Sequence, residues 1–225
     1  MSHSVQKQLT MYGQLMEEVK VRFQVINLAA QGHTQLAAPF VREFMYLQTR
    51  LLCELIALGC LVAHGDIGSL QSHKVGRTFS ADEILDRMSK LRPHFYPIAM
   101  RETSVVLVDG GPKRNHNLEA IEPSPLPKED LLSIYAKTHK YLHRGSLKKL
   151  LSADAILDMT INVPEIISYI QKMADLLSHH AIPINENKVM LCLLMNPDNN
   201  NLVQVIMGDR QGPPIQPNLL ASGRS

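Results

Sequence analysis

Arg50 and Glu54 are the first pair of side chains whose types and spacing could support chemistry. They stand four residues apart, so on a helix their side chains can meet. Such a pair, buried in a helical bundle, could hold a charge at a functional site, or Arg50 could simply partner Glu54 on an amphipathic surface. An unpaired carboxylate inside a core is costly, so we expect Glu54 to have a partner in either case.

Two further pairs contain histidines. His64 and Asp66 follow the end of the same predicted helix and could form an acid–base couple or provide two metal ligands. The alternative is that the helix dipole favours His64 and that Gly65 ends the helix. His139 and His143 stand four residues apart, which could chelate a metal or could simply place both on a solvated helix face.

The sequence contains none of the common motifs for nucleotide, metal or nucleophile sites. GxGxxG, GxxxxGK[ST], GxSxG, HExxH and CxxC do not occur, so we predict no cofactor and no metal. The net charge of +2 is too small to indicate nucleic acid or an anionic membrane as the partner. The three cysteines form no pairing framework and are typical of small buried residues in a cytoplasmic protein.

The stretch that must position these side chains is residues 39–64. Pro39 suits a first helical turn, and Glu54 is the only charged residue between positions 51 and 63. Apolar residues on every side require neighbours on every side, so we predict a long central core helix. Periodic apolar positions predict further helices over residues 5–31 and 129–143 and after Asn162, which should cap its helix.

Strand signals are few and concentrate near the C-terminus. Residues 189–195 and 202–207 are apolar runs joined by a polar turn, which indicates a β-hairpin over 189–207. Residues 104–108 (SVVLV) suggest a short strand or extended segment, and the prolines within 113–128 suggest an exposed connector. The predicted fold is therefore mainly α: a helical bundle around helix 39–64 with a small antiparallel hairpin, forming one domain over 1–211, with a disordered tail over 212–225.

A central helix reading RLLCELIALGCLVAHGD and a later helix ending YLHRG resemble the HEPN-like superfamily of helical-bundle proteins. The resemblance covers about residues 5–180 and depends on Arg50 with Glu54 and on residues 141–145. It implies a helical bundle, in a group that includes abortive-infection and toxin-type ribonucleases as well as non-catalytic members.

Ribonucleases of that superfamily use an arginine followed, after four to six residues, by a histidine. Only Arg87 and His94 meet this spacing here. Met88 stands where a polar residue is usual, and Pro93 breaks the helix before His94. The resemblance therefore implies a non-catalytic member.

The leading prediction is a cytoplasmic helical-bundle protein that acts through protein contacts, as a homodimer or with another protein, without intrinsic catalysis. The alternative is a nuclease or metal-dependent hydrolase. Its catalytic site would collect six residues: Arg50, Glu54, His64, Asp66, His139 and His143.

Overall fold

The computed structural model describes residues 3–65, 80–107, 114–142, 162–196 and 199–209. In this part of the chain the helices are α1 (His3–Ala30), α2 (Ala38–His64), α3 (Ala81–Leu91), α4 (Lys128–Leu142) and α5 (Val163–Leu177). The strands are β1 (Ile98–Leu107), β2 (Arg114–Ala120), β3 (His179–Pro183), β4 (Lys188–Asn196) and β5 (Leu202–Asp209). The predicted tail over 212–225 lies outside the described residues.

Helix α2 lies at the centre of the helices, as predicted for residues 39–64. It packs against α1, α3, α4 and α5. Most of residues 51–63 are buried, and the exceptions are half-buried: Leu51, Glu54, Leu58 and Val62. One described helix, α2, has the length and hydropathy of a membrane-spanning segment, yet 61% of its most apolar 18-residue window is buried inside the protein, as in a core helix.

Helices α1 and α2 run antiparallel. The Gln8 side-chain amide donates to the carbonyl oxygens of Val62 (3.0 Å) and Ala63 (2.6 Å), which lie at the C-terminal end of α2. At the other end of the pair, Arg22 Nη1 donates to Gln48 Oε1 at 2.6 Å. These two contacts show which residues of α1 and α2 lie at the same level, that is, at the same height along the helix axes.

The prediction of a mainly α fold with only a small hairpin is wrong. The described strands form one five-stranded antiparallel sheet in the order β2-β1-β3-β4-β5. The hairpin predicted over 189–207 exists as β4 and β5, but it is one end of this sheet. The segment 113–128, predicted as a connector, contains β2, because its prolines lie beyond the end of that strand.

The sheet packs one face against the helices, so the fold has two layers. Met190, Cys192 and Leu194 alternate along β4 and join the main core with the helices. On the opposite face Met100, Ala181 and Val189 form a second, smaller buried cluster. The sheet therefore adds residues of β1, β3 and β4 to a main core that is otherwise built mostly by the helices.

Asn162 and Ser80 precede helices α5 and α3, but only Asn162 makes a side-chain capping hydrogen bond. Asn162 caps α5 as predicted, because its Oδ1 accepts from the backbone N–H of Glu165 at 3.2 Å. Ser80 precedes α3 but makes no side-chain capping bond; its side chain instead bonds to Asp82. That bond is the main reason that the pKa of Asp82 lies below its ordinary value.

Candidate functional site

Arg50, Glu54 and Tyr135 form a closed polar group, the Arg50 triad, between α2 and α4. Arg50 Nε lies 3.1 Å from Glu54 Oε1. Arg50 Nη2 donates to the Tyr135 hydroxyl, which donates to Glu54 Oε1 at 3.1 Å. The guanidinium also lies over the Tyr135 ring, 4.2 Å from its centroid. The carboxylate that had to find a partner therefore has two.

The Tyr135 hydroxyl also joins the triad to α3. It accepts from the backbone N–H of Ala81, in the first turn of that helix. Burial raises the pKa of the Tyr135 phenol, and the nearby Glu54 carboxylate adds to the rise. The hydroxyl is thus the point where three helices meet, which is a structural role.

Replacing Tyr135 with Phe should lower the free energy of unfolding by about 1–3 kcal/mol, because Arg50, Glu54 and Ala81 each lose a hydrogen-bond partner. Chemical denaturation measures the change. Tyr96→Phe is the matched control, since the buried Tyr96 hydroxyl has no hydrogen-bond partner among the described residues and its removal should cost nothing. An equal loss in both variants would contradict the role assigned to the Tyr135 hydroxyl.

A second polar group lies two turns toward the start of α2. Tyr46 donates to Glu165 Oε2 at 3.1 Å and stacks on Tyr141, with ring centroids 4.1 Å apart. Lys137 is paired with Glu165, and its ammonium lies 5.7 Å from the centroid of Tyr169. This pairing lowers the pKa of Glu165 and raises that of Lys137. All these groups satisfy one another within the described structure.

His64 lies at the other end of α2 and is mostly buried. It hydrogen-bonds to the backbone of Phe95, while its Nε2 has no partner among the described residues. Burial, with the Arg92 guanidinium nearby, lowers the pKa of His64 to about 4. The side chain is therefore a neutral imidazole at the edge of the core.

The structure does not bring His64 to His139. Helices α2 and α4 are antiparallel, since Tyr141 stacks on Tyr46 and Tyr135 contacts Glu54. His139 is exposed and close to the Tyr46 end, while His64 is ten residues beyond Glu54. At 1.5 Å per residue the two histidines are separated by roughly 20 Å along the axes.

Asp66 and His143, the other two predicted site residues, lie outside the described residues. Among the described residues there is no cluster of three or more His, Cys, Asp or Glu side chains that could hold a metal ion. The three cysteines are free and buried, and burial raises the pKa of the Cys192 thiol to about 12. None of them has the exposure or the lowered pKa of a reactive thiol.

The surface feature that sequence reasoning missed is an apolar row on the outside of α2. We call Phe40, Phe44, Leu47 and Leu51 the outer ridge. Phe40 is 51% exposed and Leu47 42% exposed, and the other two are half-buried. Their spacing of four, three and four residues is the spacing of a coiled-coil seam, a signal that the sequence carried.

Helix α1 carries a matching row beside the outer ridge. We call Val21, Val25 and Leu28 the α1 row; Val21 is 56% exposed and Leu28 49% exposed, with Val25 half-buried. They too are spaced by four and three residues. The α1–α2 pair thus presents two rows of partly exposed apolar side chains, of which Phe44 also packs against the main core.

No known protein family, no curated protein and no solved structure matches this chain. The resemblance to the HEPN-like superfamily thus stays a prediction from residues 141–145 and the Arg50–Glu54 pair.

Proposed function

We propose that this chain is a cytoplasmic protein that acts through contacts with another protein surface, without catalysis of its own. The observation that carries the proposal is the outer ridge: large apolar side chains, two of which are about half exposed, follow coiled-coil spacing on the central helix. Contiguous exposed apolar surface on a folded domain is typical of a binding site for another protein.

The polar groups support the same proposal. In the Arg50 triad and in the Tyr46–Glu165–Lys137 group, charged side chains donate to and accept from one another. Groups engaged in this way join one helix to another: the first holds α2 against α4, and the second joins α2, α4 and α5. The nuclease or hydrolase alternative needs His64 or Asp66 close to His139 or His143. The two histidines that lie in the described part of the chain, His64 and His139, are far apart.

A photo-crosslinking amino acid at position 47 tests the proposal in cells that express the full chain. We expect position 47 to give a protein adduct on irradiation, because Leu47 is in the middle of the ridge. Leu91 is the matched control position, since it is an exposed leucine, at 66%, on α3 and away from the ridge. Adducts from neither position, or equally from both, would contradict a binding role for the ridge.

The purified chain should also be assayed on RNA, DNA and phosphodiester model substrates with Mg²⁺, Mn²⁺ or Zn²⁺ present. We expect no turnover above the background of a His64→Ala, His139→Ala double variant. Turnover that the double variant abolishes would overturn the proposal in favour of the hydrolase.

A further inference from the structure

We propose that the partner of the outer ridge is a second copy of this chain, bound antiparallel across a two-fold axis. This inference depends on the proposed function, because it names the protein that the ridge contacts. Three properties of the described residues make the ridge complementary to itself: its spacing, the charges on one flank, and the level of the α1 row.

The spacing allows the ridge to pair with its own copy. In an antiparallel coiled coil, the two kinds of seam position lie opposite one another in each layer. Phe40 then packs against the partner's Leu51, and Phe44 packs against the partner's Leu47. Each large aromatic ring meets a leucine, and the two-fold axis repeats both layers. Glu54 occupies the next seam position after Leu51. The pairing stops before it, so no charged residue lies within the apolar layers.

The flanking charges are complementary in the same register. Glu43 and Arg50 are seven residues apart, on the same side of the ridge. With Phe44 opposite the partner's Leu47, Glu43 lies two residues, about 3 Å along the axis, from the level of the partner's Arg50, within reach of that long side chain. The symmetry provides this ion pair twice. The hydrogen bonds of Arg50 to Glu54 and Tyr135 use Nε and Nη2, so the guanidinium retains Nη1 for this contact.

The α1 row is centred on the same axis. The Gln8–Val62 and Arg22–Gln48 contacts place Val25 of α1 level with residues 45–46 of α2, the midpoint of the ridge. Val25 is also the middle residue of the α1 row. A two-fold axis through the centre of the ridge therefore brings the α1 rows of both copies together, so that both apolar rows are covered at once.

Two charge-reversal variants of the full chain, studied singly and then as a mixture, test this pairing. Glu43→Arg alone places two guanidinium groups against each other at each end of the pairing, and Arg50→Glu alone places two carboxylates together. Each variant should dissociate at least about tenfold more readily than the wild type, an effect of about 1.4 kcal/mol. The mixture of the two variants relieves this repulsion, because a heterodimer has opposite charges in both pairs. The introduced arginine faces the introduced glutamate in one pair, and the unchanged Arg50 and Glu43 face each other in the other pair. We therefore expect heterodimers at twice the 25.2 kDa chain mass by sedimentation analysis.

A second variant covers the case in which Arg50→Glu does not fold after losing its triad contacts. Leu47→Glu should give a folded monomer, whereas Leu91→Glu, with the same change on α3, should remain dimeric. A wild-type chain that is monomeric at every concentration, or a dimer that Leu47→Glu leaves intact, overturns the second-copy inference.

The crosslink at position 47 separates the two proposals. An adduct of two copies of the chain supports both of them. An adduct with a different protein leaves the proposed function standing and overturns the second copy. The absence of any adduct contradicts both proposals together.

Discussion

The free energy of unfolding should fall by about 3 kcal/mol between pH 6.5 and about pH 4 through one buried histidine, His180. Burial lowers the pKa of this imidazole from 6.5 to about 4 in the folded protein. Each unit of difference between the folded and unfolded pKa corresponds to about 1.4 kcal/mol. His180 is fully buried at the start of β3, so solvent does little to reduce this effect.

The neighbours of His180 hold the neutral ring in one tautomer. Its Nδ1 lies 2.8 Å from the Leu177 carbonyl oxygen, which can only accept, so Nδ1 carries the proton. Its Nε2 lies 2.6 Å from the Tyr12 hydroxyl, which therefore donates to it. Protonation of Nε2 would require the Tyr12 hydroxyl to accept instead, so its own proton would lose the Nε2 acceptor. Burial of the charge is the main reason that the folded state resists protonation, and this lost hydrogen bond adds to it.

The direction of the pH effect follows from proton counts in the two states. Below pH 6.5 the unfolded chain binds a proton at this position, while the folded chain does so only below about pH 4. Between these values the unfolded state holds more protons, so stability falls as the pH falls. The contribution is fully present above pH 6.5, and its loss is complete below about pH 4.

Urea denaturation at a series of pH values measures the slope. His180→Gln should be less stable than the wild type at pH 7 but should lose less stability on acidification. His94→Gln, a change at an exposed histidine, should keep the wild-type slope. The wild-type slope in His180→Gln would contradict this prediction. His64, whose pKa burial also lowers to about 4, adds a smaller effect in the same direction because it is partly exposed.

The sequence predicted the parts of the fold whose signals are local. The run of apolar residues in 51–63 required a buried helix, and Asn162 beside Pro164 marked a helix start, and both features are present. Strand β3 escaped prediction because its five residues follow α5 directly and gain their partners from β1 and β4. Strand β2, with the sequence RNHNLEA, has only Leu118 and Ala120 as alternating apolar residues, too few to indicate a strand.

The candidate site shows the same difference between contacts that local spacing predicts and contacts that only packing creates. The spacing of Arg50 and Glu54 was enough to predict their contact, which the structure has at 3.1 Å. Tyr135 comes 81 residues after Glu54, so only the packing of α4 on α2 brings it into the triad. His64 and His139 are also far apart in the sequence, but the antiparallel packing of their helices places them at different levels. Residue type alone did not distinguish these two outcomes.

Leu52→Ala should have the other large effect, a loss of about 2–5 kcal/mol in the free energy of unfolding. Leu52 is in the middle of α2 and is 0% exposed, so truncation removes buried methyl groups and leaves a cavity. Leu47→Ala is the matched control on the same helix, because Leu47 is 42% exposed and its truncation in a single copy of the chain opens no cavity. We expect that control to cost less than about 1 kcal/mol in dilute protein.

Chemical denaturation at low and high protein concentration makes the comparison decisive. The cost of Leu52→Ala should be the same at both concentrations, since it arises inside one chain. The cost of Leu47→Ala should grow with concentration, because a dimer is stabilised by mass action and the variant weakens its interface. Equal costs for the two leucines in dilute protein would mean that α2 is not buried on its Leu52 side, and the helical core would then need a different arrangement.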